Sequence, residues 1–249
     1  MSRVLWCNAL VPGPDTAEQP FSSEYYGDSI TILRTKSLSI EERKAPLSDR
    51  KAFRSMSRAS VLLSLACLDG RSFLHSFLVN SPFDIGIYCA IENSPVDLQS
   101  TSAMLAVSRD DFADEYRRVR NPKLFLKQVP NLAPAQMAIF LGIMGPLNVY
   151  NHSSWGCMHA FDQAETDIQE GRVKAALVCS AFSFEDPIVL EGIRRKALKD
   201  RVLCEGAGAM LLVPDASFRD WSDHDFHNSE SYYGISHQLI IHILSRGKT

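Results

Sequence analysis

Ser154 stands where this sequence would place chemistry. Residues 129–180 read VPNLAPAQMAIFLGIMGPLNVYNHSSWGCMHAFDQAETDIQEGRVKAALVCS. The pattern predicts a helix, a Gly-Pro turn, a short strand, a junction at Asn151-His152-Ser153-Ser154, a long amphipathic helix and a buried strand. A strand that runs straight into a buried helix N-terminus presents free backbone N–H groups and the positive dipole end, which stabilise negative charge. A hydroxyl there is a nucleophile only if a base takes its proton, and His152 would share its face of an extended segment. No carboxylate can be assigned as a third group, and the Gly-x-Ser-x-Gly elbow is absent because Ser154 lies between His152-Ser153 and Trp155-Gly156. Cys157, three residues into the helix, is the other nucleophile to weigh, since a thiol near a helix N-terminus can be acidified.

The elements that must position this junction follow from apolar spacing and turn residues. Residues 4–10 predict a first strand, 12–28 a polar surface excursion and 29–33 a second strand or edge segment. A helical stripe through Phe53, Met56, Ala59, Val61, Leu62, Leu65 and Ala66 ends at Asp69-Gly70. Residues 84–91, DIGIYCAI, are short and β-branched enough for a buried parallel strand. Residues 108–120 predict a helix with Ser108 as N-cap, acids first and Arg117, Arg118 and Arg120 last, as the macrodipole prefers; those arginines form a solvated end, or a surface for an acidic partner. Around the junction the pattern places helices at 133–142 and 155–170 and a buried strand at 175–180. A further apolar strand closes the segment 201–213, and a last helix spans about 233–244.

Composition excludes several classes of function. The chain has 249 residues, 45% hydrophobic and 22% charged, which suits one sizeable globular core, and its net charge of −3 gives no electrostatic case for nucleic acid or an anionic membrane. No apolar run approaches the ~18 residues of a membrane span, so a cytoplasmic protein is expected. The six cysteines form no CxxC pair and mostly sit in apolar runs, as reduced core thiols do. His224 and His227 lie three apart in a polar stretch and His237 and His242 on the last helix; neither pair makes a recognisable metal motif, and no metal or cofactor is expected.

Several of these marks resemble the β-ketoacyl synthases of fatty-acid and polyketide assembly. In that family the nucleophilic cysteine follows a Gly-Pro by a fixed interval, at the start of a buried helix, with a Pro-Asn and short helix upstream. Pro130-Asn131 and Gly145-Pro146 match without a gap, the nucleophile position falls on Ser154, and His159 matches a helix histidine common in the family. Cys157 is offset from that position by three residues, nearly one helical turn. Arg54-Ser55-Met56-Ser57-Arg58 resembles the start of the corresponding family helix, and Cys204-Glu205-Gly206-Ala207-Gly208 resembles a family Gly-Glu-Gly-Ala-Gly run, whose glycines would allow close backbone approach beside the nucleophile helix. Family members carry a Gly-rich strand end where this chain continues Glu92-Asn93.

The resemblance implies an α/β protein of thiolase-like fold, essentially the N-terminal half of a ketosynthase: a mixed, largely parallel sheet flanked by helices. Residues 1–213 would form that half, and residues 214–249 a short linker and helix in place of the second half, which in the family supplies two catalytic histidines and a lysine. A lone half would have an apolar face for a partner to cover. Without the cysteine the chain is similar to the chain-length factors of type II polyketide systems, with aryl-polyene pathways equally open. The implied role is a non-catalytic subunit that heterodimerises with a full-length ketosynthase, shapes the acyl tunnel and works with an acyl carrier protein. Aligned back from Gly145-Pro146, Leu124 falls on a position that reaches into the partner's tunnel, with Phe125 beside it and Met104 as a further candidate; all three also suit an ordinary core. The alternatives are an acyltransferase or thioesterase using Ser154, and a homodimer that only binds the carrier protein.

Overall fold

The computed structural model describes residues 2–21, 34–40, 56–92, 100, 103–122, 129–152, 155–195, 198, 200–215 and 229–246. Its strands are β1 (Ser2–Leu10), β2 (Gln19–Pro20), β3 (Arg34–Lys36), β4 (Ile85–Ile91), β5 (Leu147–Tyr150), β6 (Ala175–Phe182), β7 (Val202–Cys204), β8 (Gly206–Pro214) and β9 (Ser231–Tyr232). The α-helices are α1 (Arg58–Leu68), α2 (Arg71–Asn80), α3 (Phe112–Val119), α4 (Leu132–Leu141), α5 (Gly156–Gln169), α6 (Pro187–Arg195) and α7 (His237–Arg246). The main sheet has the order β1-β8-β6-β4-β5, in which β4 is parallel to β5 and β6 while β8 runs antiparallel to both β6 and β1. The sheet is therefore mixed, with its parallel part at the β5 end.

Two apolar layers hold it. On one face Leu62, Leu63 and Ala66 of α1 and Met137 and Leu141 of α4 meet Ile87, Cys89, Leu177, Cys179 and Leu211. On the other, Ala160, Phe161, Ala164 and Ile168 of α5 and Leu239 and Ile243 of α7 meet Tyr88, Ala90, Ala176, Val178, Met210 and Leu212. Every residue of β4 and β6 is buried, so both read as apolar runs, broken in β6 only by Ser180, rather than as alternating ones. Each fully buried Leu, Ile or Phe removes enough apolar area to contribute about 1.5–3 kcal/mol. The apolar face assigned above to a partner is thus covered from within, because α7 packs onto β8 and β1 beside α5.

Three local differences from the sequence reading have physical causes. Asp69-Gly70 does end α1, but the chain bends by 77° and continues as α2, for which the sequence suggested no element. The segment 201–213 is two strands in two sheets: β7 belongs to a small second sheet, β2-β3-β7-β9, and β8 to the main one. The switch comes at Glu205, whose side chain is 1% exposed and takes two hydrogen bonds from Arg58, Nε and Nη2 each at 2.6 Å, and one from the Leu38 amide at 3.1 Å. A carboxylate so placed needs its cation, which explains a basic residue at the N-terminus of α1, where the macrodipole disfavours one. The third difference is α6, an amphipathic helix capped by Asp186, whose carboxylate accepts from the Ile188 and Val189 amides; no element was read there. The strand read at residues 29–33 lies outside the described residues.

Candidate functional site

The Gly-Pro turn is fixed by contact rather than by backbone conformation. A Cβ on Gly145 would stand 2.1 Å from the Ile85 carbonyl oxygen and 2.7 Å from that of Phe83, both rigid main chain at the entry to β4. The Pro146 carbonyl then accepts from the Ile87 amide at 2.8 Å, which sets β5 in register beside β4. Upstream, Asn131 precedes the first turn of α4, as the Pro-Asn mark implied. The short β5 therefore delivers Asn151 and His152 to the C-terminal edge of the parallel strands, the usual place for a ligand in an open α/β sheet.

Ser153 and Ser154 lie outside the described residues; those on either side, His152 and Trp155, are described. The Gly156 amide, at the first residue of α5, donates to the His152 carbonyl at 2.9 Å. Asn151, His152 and His159 are exposed, and His159 meets Tyr150 edge-on with ring centroids 6.3 Å apart. Trp155 precedes α5 with no side-chain cap bond and is 56% exposed. Further along, α5 is held to β4 by a buried polar cluster: the Tyr88 hydroxyl donates to Asp167 at 2.6 Å, and Gln163 and Arg172 donate to the other carboxylate oxygen at 2.8 and 2.9 Å. Burial, with the neighbouring Asp167 charge, pushes the Tyr88 phenol well above its ordinary value.

Cys157 is not an acidified thiol. It is 1% exposed and donates to the Ile235 carbonyl at 2.9 Å, and burial pushes its pKa up to about 12. A helix dipole acidifies a thiol that can ionise toward solvent; this one faces a dry core and an acceptor.

The structure also brings to this end of the sheet a segment to which the sequence reading gave no place. Gly234, at φ +54°, packs its Cα against the Phe182 ring; an added Cβ would come within 2.3 Å of Cδ2. The turn that follows lays Ile235 over Gly156, sets the Ser236 hydroxyl 2.7 Å from that of Ser180, and tilts the His237 ring against Tyr232 with centroids 4.9 Å apart. Leu239 and Ile243 of α7 then rest on Gly208, and Tyr233 and Ile240 on Gly206. The glycines of β8 thus admit the C-terminal helix, not the nucleophile helix as expected. A signal was present: an apolar helix with Gly234 just before it.

Among the other candidates, Met104 is half-buried, next to an 83% exposed Leu105. Leu124 and Phe125 lie outside the described residues, as do His224 and His227. His237 and His242 are buried in α7. Arg117 and Arg118 pair within α3 with Asp114 and Glu115 and remain exposed. Among the described residues no group of three or more His, Cys, Asp or Glu is placed to hold a metal ion, and no single helix is long and apolar enough to cross a membrane.

No protein-family model and no curated protein sequence matches the chain. Solved structures do. The ishigamide ketosynthase/chain length factor superposes with a TM-score of 0.60 at 17% identity, covering 88% of this chain and 63% of that one. This is the thiolase-like fold of the ketosynthases. The ketosynthase ApeO in complex with its chain length factor ApeC, from Xenorhabdus doucetiae, gives a TM-score of 0.61 at 14% identity over 87% of this chain and 58% of that one. A type II polyketide ketosynthase in complex with its acyl-carrier protein, AntDE with AntF, gives 0.56 at 16% identity over 72% and 53%. This chain thus spans less than two thirds of the ketosynthase-fold chains it matches.

Proposed function

We propose that this chain is a non-catalytic, chain-length-factor-like subunit that pairs with an active ketosynthase and shapes the tunnel in which an acyl chain grows on its carrier protein. The observation that carries this reading is the start of α5. The family's thiolate position is a serine, and the one cysteine nearby is sealed beneath Ile235 with its thiol protonated at neutral pH. Condensation by this fold needs a thiolate to take up the acyl group, and a serine hydroxyl stays un-ionised unless a base removes its proton. The fold itself, shared with ketosynthase/chain length factor structures, supports the partner. In this proposal residues 1–213 carry the ketosynthase-like half, residues 214–249 close it, and Leu124, Phe125 and Met104 face the tunnel or the partner. A polyketide or an aryl polyene would suit the tunnel equally.

The test is co-expression with the ketosynthase encoded beside it, followed by turnover assays of the purified complex. Ser154→Ala should leave turnover within a few-fold of wild type while a knockout of the partner's own nucleophile abolishes it. A loss above about a hundredfold on Ser154→Ala, some 2.7 kcal/mol of barrier, with the complex intact, would instead make Ser154 a nucleophile.

A further inference from the structure

We draw no further inference here: the strongest candidate, the exposed apolar face that Phe112 and Tyr116 present on α3 with Leu105 shortly before it, adjoins Met104 and belongs to the partner-facing surface already proposed, and nothing among the described residues shows what else covers it.

Discussion

Gly234→Ala is the substitution that most directly tests how the start of α5 is held. Gly234 sits at φ +54° with Phe182 ring carbons 2.3 to 2.6 Å from where a Cβ would be. A non-glycine residue in that region costs about 1–3 kcal/mol, and overpacking against a buried ring about 1–3 kcal/mol more. If the turn stays docked, the variant should lose about 2–6 kcal/mol, or roughly 5–20 °C in Tm for a chain of this size. If that strain exceeds the hold of the segment, residues 233–246 release instead, and Cys157 reports it. In wild type its thiol is 1% exposed, bonded to Ile235 and raised from 9.0 to about 12. Three units of pKa change the thiolate fraction at pH 8 about a thousandfold, so release should turn Cys157 from inert to readily alkylated by iodoacetamide. Peptide mass spectrometry resolves the site, and Cys179, buried in the opposite layer, serves as internal reference. The same shift sets an alkaline limit on stability. The folded state prefers the protonated thiol, so below pH 9 the group contributes no pH dependence. Above pH 9 the unfolded chain ionises first, and stability falls by about 1.4 kcal/mol per pH unit until about pH 12. A Gly234→Ala protein with wild-type Tm and Cys157 alkylation within twofold of wild type would refute this account of the turn.

Two further outcomes are expected. Glu205→Ala leaves the Arg58 guanidinium without its carboxylate at the β7–β8 switch; breaking a buried pair costs about 3–5 kcal/mol, and with the Arg58 side chain 30% exposed the lower end applies, to be read as a drop in urea midpoint at unchanged m-value. In the reconstituted complex, Leu124→Ala should lengthen the product and Leu124→Trp shorten it, measured by mass spectrometry with heterodimer integrity checked alongside. An unchanged distribution in both would move the tunnel end elsewhere.

The sequence alone determined the order of elements around the candidate site and, through Pro130-Asn131, Gly145-Pro146 and the serine eight residues beyond, the fold they belong to. Those marks are local: Gly145 is required by a carbonyl 2.1 Å from its missing Cβ, and β4 and β6 are apolar, Ser180 apart, because helices cover both faces. What only the tertiary structure decided are contacts between residues far apart in the chain. Arg58 and Glu205 were each visible as parts of separate motifs, but their pairing across 147 positions was not, and it is this pair that breaks one predicted strand into two. The fate of Cys157 was likewise undecided by its place near a helix N-terminus, because acidification depends on whether solvent reaches the thiol. Ile235, 78 residues later, settles that by covering it and accepting its hydrogen. The glycines of β8 pointed to a close approach but not to its occupant. A Cβ-free strand face accepts any helix brought to it, and chain topology makes that helix α7.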